Sequence, residues 1–405
     1  MNQFVKPFEL DVSSVQKFVA DLSADDLVIF MQILSKGSKM SPEELTQHFP
    51  LIMANYSISF LEGGNAQNFK IVNKITSEAH VLKIDYRDNV PRTLENQLRA
   101  GALKSIFVPL FVEREATFDH AQVFVFDPIN DTHNHRITCS LLVTSFLKSK
   151  DLKSYLSQAP HDERIQNAMR YGKQMADIFL ALQKNNCAFL DSKNSNWLIG
   201  DDDRLQLADT KSFLPTEGSF FDIKKCAEEG YTLSASQFMI PPEIPASRAS
   251  NKPIQVDAMH VYLLGKNLYQ MITQCDDTKL LELTPDERHF EDPIFLTAQG
   301  QIFKHLIQSA IHPNPKTRIT LNKARERLSA PREPSYAPGD FSIANQIILL
   351  LKIIISFIAK FLGYKKTQEY KAQFQSLKNE ANLGEKKALG TSSDKSVQKD
   401  SDFKP

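Results

Sequence analysis

Four side chains in one stretch have the types and spacing to act on a charged substrate. They are Asp191, Lys193, Asn196 and Asp209, within NNCAFLDSKNSNWLIGDDDRLQLADTKSF at 185–213. Asp191 and Asn196 are five residues apart, Lys193 lies two after Asp191, and Asp209 is thirteen beyond Asn196. Trp197-Leu198-Ile199 and Leu205-Gln206-Leu207-Ala208 read as strands joined by Gly200-Asp201-Asp202-Asp203, a hairpin pattern. Such a hairpin returns Asp209 alongside Asn196. Two oxygen donors beside a basic Lys193 suit Mg²⁺ and phosphate, because Mg²⁺ is usually held by one or two carboxylates plus substrate phosphate oxygens.

A second group of candidates lies upstream. Phe69-Lys70-Ile71-Val72 and His80-Val81-Leu82-Lys83-Ile84 read as strands around a Thr76-Ser77 turn, and Gly63-Gly64-Asn65 comes just before them. Adjacent glycines alone are an ordinary turn signal. Lys83, between Leu82 and Ile84, reads equally well as a solvated strand lysine. Pro91 opens a short helix that carries Leu94, Glu95 and Leu98. Downstream, Pro241-Pro242-Glu243, the helix DAMHVYLLGKNLYQM from Asp257, and His312-Pro313-Asn314-Pro315-Lys316-Thr317-Arg318 complete the set.

In this combination the residues resemble the protein-kinase superfamily, in particular a divergent eukaryotic-like serine/threonine kinase. The likeness spans about residues 60–330. It implies an α+β, bilobal fold with a small β-rich N-lobe and a helical C-lobe, and ATP and Mg²⁺ as cofactors. By that resemblance Gly63 and Gly64 belong to the glycine-rich loop over the nucleotide. Lys83 neutralises the α- and β-phosphates and pairs with Glu95. Backbone groups near Thr144 to Leu147 meet the adenine. Asp191 is the catalytic base, Lys193 stabilises the transferring phosphoryl group, and Asn196 and Asp209 ligate the metal. Asp257 braces the catalytic loop, and Arg318 pairs with Glu243.

The departures are specific. Phe189-Leu190 replaces the family's His-Arg, so Phe189 takes over the histidine's packing role while the arginine that reads an activation-segment phosphate is gone. Ser212, Thr216, Thr232 and Ser234 still offer hydroxyls. Asp209-Thr210-Lys211 replaces Asp-Phe-Gly, which keeps the carboxylate and loses the packing phenylalanine and the flexible glycine. The expected activity is serine/threonine protein phosphorylation on a protein substrate. The alternatives are a small-molecule phosphotransferase of the aminoglycoside or choline type, nucleotidyl transfer, and a catalytically silent pseudokinase scaffold.

The elements that would position these residues follow from periodicity and caps. Residues 1–55 form a helical cap: Ser23 precedes Asp25 and Asp26, with Leu27, Phe30, Ile33 and Leu34 on one face, and Ser41-Pro42-Glu43-Glu44 starts another helix. No basic recognition helix follows, which argues against a helix-turn-helix. Residues 56–145 are the expected N-lobe, with further strands at Ile106–Val112, Gln122–Asp127 and Arg136–Thr144, and 146–330 the C-lobe. There, a long amphipathic helix over 163–185 carries Ile165, Met169, Met175, Phe179 and Leu182.

A Pro-rich linker at 331–340 then leads to FSIANQIILLLKIIISFIAKFLGYKK. As a helix over 341–364 it has a narrow stripe of Asn345, Lys352, Ser356 and Lys360. That pattern suits an anionic membrane interface, contacted through 341–366, more than a span with Lys352 near its middle; docking on the C-lobe or in a dimer is the other reading. Residues 365–405 read as a disordered basic tail. An amphipathic tail of this kind on a eukaryotic-like kinase is similar to effectors that intracellular bacteria deliver into host cells.

Composition fits a globular protein: 405 residues, 42% hydrophobic and 24% charged, with zero net charge. Residues 341–405 hold 11 Lys and 6 Asp or Glu, a net +5, leaving −5 on residues 1–340. A mildly acidic body argues against nucleic acid as partner. Cys139, Cys187, Cys226 and Cys275 have no metal or disulfide spacing, so no disulfide partner and a reducing compartment are expected. MNQFVKPFEL lacks a signal-peptide apolar core. The expected setting is the cytoplasm or a host-cell cytosol, peripheral on a membrane and not classically secreted.

Overall fold

Three serines start the first helices. Ser14 Oγ accepts from the Lys17 N–H at 3.1 Å, Ser23 Oγ from Asp26 at 3.0 Å and Ser41 Oγ from Glu44 at 3.2 Å. Each cap satisfies one of the orphan N–H groups of a helix N-terminus and is worth about 1 kcal/mol. The helices are α1 (Val15–Asp21), α2 (Ala24–Ser35), α3 (Pro42–His48) and α4 (Pro50–Asn55). Phe18, Phe30 and Phe49 meet edge to face in their midst, with ring centroids 5.1–6.1 Å apart. The computed structural model describes residues 12–61, 67–86, 89–119, 136–147, 151–208, 212–231, 233 and 235–329.

The cap covers one face of an antiparallel five-stranded sheet of order β1-β2-β3-β5-β4. Its strands are β1 (Tyr56–Leu61), β2 (Gln67–Asn73), β3 (Ala79–Tyr86), β4 (Leu110–Asp119) and β5 (Arg136–Ser145). The sheet begins at Tyr56, directly after α4 and upstream of the strands expected around the Thr76-Ser77 turn. The strand expected over Ile106–Val112 starts only at Leu110, because Lys104–Ile106 forms a 3₁₀ turn and Pro109 lacks a ladder N–H. The strand expected at Gln122–Asp127 lies outside the described residues. Leu82 faces Val143 and Ile84 faces Leu141 across β3 and β5, and all four are buried against the cap. Side chains alternate along a strand, so Lys83 and Asp85 point to the opposite face. Arg114 on β4 fastens the cap by donating to the α1-end carbonyls of Val19 and Leu22, each at 3.1 Å.

A second hydrophobic cluster holds the helices. After α5 (Asn89–Ala100), which links β3 to β4, come α6 (Leu152–Leu156), α7 (Arg164–Lys184), β6 (Cys187–Phe189), β7 (Trp197–Ile199), β8 (Leu205–Leu207), β9 (Phe213–Pro215) and β10 (Phe220–Phe221). The remainder is α8 (Ile223–Glu228), α9 (Glu243–Ser250), β11 (Ile254–Gln255), α10 (Val256–Thr273), α11 (Asp277–Glu282), α12 (Ala298–Ala310) and α13 (Leu321–Ser329). Helix α10 is its axis, buried almost from end to end and packed on α7, α12 and α13. Two glycines permit the close approach. A Cβ on Gly172 would stand 2.5 Å from Leu268 Cδ2, and one on Gly265 would stand 2.8 Å from Ala310 Cβ. Leu98 on α5 and the following Leu103, Ile106 and Phe107 pack with this second cluster.

The architecture is α+β. Among the described residues no helix is long and apolar enough to cross a membrane. The linker, amphipathic helix and tail expected over 331–340, 341–364 and 365–405 lie outside the described residues.

Candidate active site

Strand β6 ends at Phe189, and the loop from Leu190 to Asn196 follows it along α10. Three polar side chains of α10 hold this loop. His260 Nε2 accepts the Phe189 N–H at 3.0 Å. Asn267 Nδ2 donates to the Ser192 carbonyl at 2.9 Å. Gln270 Oε1 accepts from Asn194 Nδ2 at 3.1 Å. Ser192 Oγ also accepts from the Trp197 indole at 3.2 Å. His260, Asn267 and Gln270 are seven and three residues apart, which sets them on one helical stripe. His260 is fully buried and stacks on Phe179 at 4.4 Å. Burial lowers its pKa to about 3, so it is neutral, and a ring accepting at Nε2 carries its proton on Nδ1.

The brace expected of Asp257 is therefore provided by other residues. Asp257 lies in the first turn of α10 and accepts the Leu321 N–H at 3.2 Å, fixing the start of α13. Burial raises its pKa against the opposing hydrogen bonds from Leu321 and Gln183. At 1.5 Å per residue it stands about 15 Å along the helix from Asn267. The stripe of His260, Asn267 and Gln270 was missed in the sequence. Its signal was three polar residues at helical spacing inside an otherwise apolar helix.

Asp191 is half-buried and held from two sides. Its Oδ1 accepts the backbone N–H and the hydroxyl of Ser236 at 2.9 and 3.0 Å. Its Oδ2 accepts Asn196 Nδ2 at 2.9 Å, and the same amide donates to the Asp191 carbonyl at 2.7 Å. Both partners are acceptors only, so the NH₂ of Asn196 must face Asp191 and its Oδ1 must point elsewhere. The Asp191 N–H donates to Ser212 Oγ at 2.8 Å. Lys193, two residues on, is half-buried; its carbonyl accepts the Asn196 N–H at 2.8 Å, and its ammonium makes no hydrogen bond or ion pair with another described residue.

The expected hairpin forms. Strands β7 and β8 pair with Trp197 opposite Leu207, and the Ala208 N–H donates to the Asn196 carbonyl at 3.0 Å. Asp209 follows Ala208 directly but lies outside the described residues, as do Gly63 and Gly64. Ser212 is buried, and so is Thr216, whose hydroxyl donates to the Gly218 carbonyl at 3.3 Å; neither is an exposed acceptor for phosphate. Thr232 and Ser234 are outside the described residues. Phe213 packs 5.2 Å from Phe189 and 5.7 Å from Phe107, so an aromatic residue does link the loop to the segment after α5.

On β3, Lys83 Nζ lies 3.3 Å from Asp85 Oδ2. Glu95 is buried on α5 and takes the Arg99 guanidinium at 2.7 Å. Arg99 is one turn further along the same helix, where an i,i+4 partner is always within reach. It also donates to the Val108 carbonyl at 2.9 Å and covers the Phe107 ring at 4.5 Å. The expected pairing of Lys83 with Glu95 is thus replaced by Lys83 with Asp85.

Far from the loop in sequence, Arg318 meets Glu243 as a two-pronged pair at 2.6 and 2.8 Å, as expected. The Arg318 side chain is 1% exposed and also donates to the carbonyls of Ala258 and His312 at 2.8 and 2.7 Å. Its guanidinium lies 4.7 Å over Tyr262.

The donors that suit a cation here are oxygens. Asn196 Oδ1 is freed by the Asp191 contact, and among the described residues no three His, Cys, Asp or Glu side chains converge on a metal site. An amide oxygen of this kind suits a hard cation. Comparison with family models and with curated proteins gives no match for the sequence.

Proposed function

We propose that the chain is an ATP- and Mg²⁺-dependent serine/threonine protein kinase of bilobal, kinase-like architecture. The observation that carries this reading is the Asp191 carboxylate, oriented by Asn196 and Ser236 beside a Lys193 whose ammonium pairs with no other described residue. The antiparallel sheet bearing Lys83, the loop braced on α10 and the Glu243–Arg318 pair support it.

The chemistry follows from the free lone pairs. Asp191 Oδ1 receives both Ser236 donors and is saturated, whereas Oδ2 receives only Asn196. Oδ2 therefore keeps a lone pair for an incoming hydroxyl, orients that nucleophile and accepts its proton. Lys193 meets the developing charge on the transferring phosphoryl group, and Lys83 meets the remaining phosphates. Asn196 and Asp209 are the residues that would hold Mg²⁺, which when bound neutralises phosphate charge.

The test is mass spectrometry of the purified protein and generic protein substrates after incubation with ATP and Mg²⁺, with Asp191→Asn as control. Added phosphate on serine or threonine, lost in the control, supports the reading. Phosphate on a small alcohol but never on protein, or a nucleotide adduct, replaces it with the corresponding transferase. No transfer and no ATP-induced rise in melting temperature would leave a silent scaffold, since a ligand specific to the folded state must raise that midpoint.

A further inference from the structure

We infer that Asp85 is the positioning residue of Lys83, and that nucleotide-phosphate binding is therefore independent of where α5 sits. This rests on the kinase reading of Lys83. In the resemblance, the partner of this lysine is a glutamate on the next helix, so that alignment of the lysine depends on a separate element. Here the 3.3 Å partner is two residues away on the same strand.

The geometry explains why the pair holds. Residues two apart on a strand share a face, and β3 is an inner strand of the sheet. Lys83 is registered with Asn68 on β2 and Leu142 on β5, and Asp85 with Ser140 on β5. Ladder hydrogen bonds therefore fix the Lys83–Asp85 separation whatever α5 does. Asp85 is 0% exposed and the Lys83 side chain 12% exposed. A buried carboxylate needs cationic or hydrogen-bonding partners, and one so placed holds the ammonium at the sheet face opposite the cap. Asp85 also makes interactions besides this one.

Glu95 serves a different purpose. Its carboxylate holds Arg99, and Arg99 ties α5 to the Val108 carbonyl and the Phe107 ring. That linkage fastens α5 to the segment leading into β4.

Two measurements decide the matter. The first is a thermal-stability double-mutant cycle without nucleotide, pairing Lys83→Met with Asp85→Asn and, separately, with Glu95→Gln. The expected result is strong non-additivity for the first pair and additivity for the second. This part stands even if the protein binds no nucleotide. The second is the KM for ATP and for protein substrate. Asp85→Asn should raise the ATP KM about tenfold, as expected when a largely buried lysine loses its ion-pair partner, and leave the protein-substrate KM unchanged. A purely structural defect would lower the active fraction and move neither KM.

Glu95→Gln should change the ATP KM by less than about twofold. If Asp85→Asn does not fold, recovery of folding in Lys83→Met/Asp85→Leu shows the same coupling, and failure to recover counts against it. Loss of ATP affinity in Glu95→Gln with an unaffected Asp85→Asn, or an additive Lys83–Asp85 cycle, overturns the assignment. If the wild-type protein binds no ATP, the kinase reading fails and the cycle alone judges the pair.

Discussion

Ser236 gives both its backbone N–H and its hydroxyl to one oxygen of Asp191, across 45 residues of chain. The segment entering Pro241-Pro242-Glu243 is thereby registered on the candidate base. Ser236→Ala removes the hydroxyl donor and keeps the backbone one. It should lower kcat about tenfold while costing roughly 1 kcal/mol of stability or less, the net worth of one hydrogen bond. Ser236→Asp sets a second carboxylate beside Asp191 and should abolish transfer through like-charge repulsion. Steady-state kinetics on both variants checks this, and wild-type turnover in Ser236→Asp would refute the assigned role of Oδ1.

The Glu243–Arg318 pair predicts a large and non-additive stability effect. Removing one partner of a buried ion pair typically costs about 3–5 kcal/mol, because the other charge stays desolvated. Glu243→Ala leaves the guanidinium with the Ala258 and His312 carbonyls and the Tyr262 ring, none of which carries a compensating charge. Each single variant should fall in that range by urea denaturation, and Glu243→Leu/Arg318→Met should cost no more than the worse single. Additive costs would show that the pair is not the unit that matters.

The pair was readable because two short motifs, Pro241-Pro242-Glu243 and the run ending at Arg318, carry it without depending on exact geometry. The hairpin was readable for a similar reason. Alternation in Trp197–Ile199 and Leu205–Leu207 and a Gly-Asp turn leave little choice of register. The brace was not readable. His260, Asn267 and Gln270 are spread over a helix whose apolar residues dominate the pattern, and which face met the loop depended on the packing of α7, α12 and α13. Lys83 shows the opposite failure. The i,i+2 placement of Asp85 was visible in the strand, yet the resemblance pointed to Glu95, and Arg99 one turn away claimed that carboxylate. Ser236 lay in a segment with no periodicity, so nothing local announced its partner.

Acid sensitivity should concentrate on His260. Its folded-state pKa of about 3 lies below the ordinary 6.5 because burial disfavours the charged ring. The unfolded chain therefore takes up the proton first. This contribution is fully present above pH 6.5 and is lost as pH falls from there toward 3, by up to about 1.4 kcal/mol per pH unit. His80, lowered by burial against the raising influence of Glu78, acts in the same direction and is common to both proteins compared. Between pH 7 and 5 the wild type should lose roughly 2 kcal/mol more than His260→Gln, which does not titrate. An equal loss of unfolding free energy in the two proteins, read from urea titrations at the two pH values, would contradict a neutral, buried His260.

Asn267 separates positioning of the loop from binding of substrates. Its Nδ2 donates to the carbonyls of Ser192 and Leu263, at 2.9 and 2.8 Å. Asn267→Ala leaves both buried acceptors short of a donor and should cost about 1–3 kcal/mol. Asn267→Asp goes further, since a carboxylate facing two carbonyl oxygens must take up a proton or be expelled, and it should be the more damaging of the two. Because the loop carries Asp191 and Lys193 while Lys83 is on β3, folded Asn267→Ala should lose kcat about tenfold or more with the KM for ATP little changed. A rise in that KM at constant kcat would mean that α10 does not hold the candidate base in place.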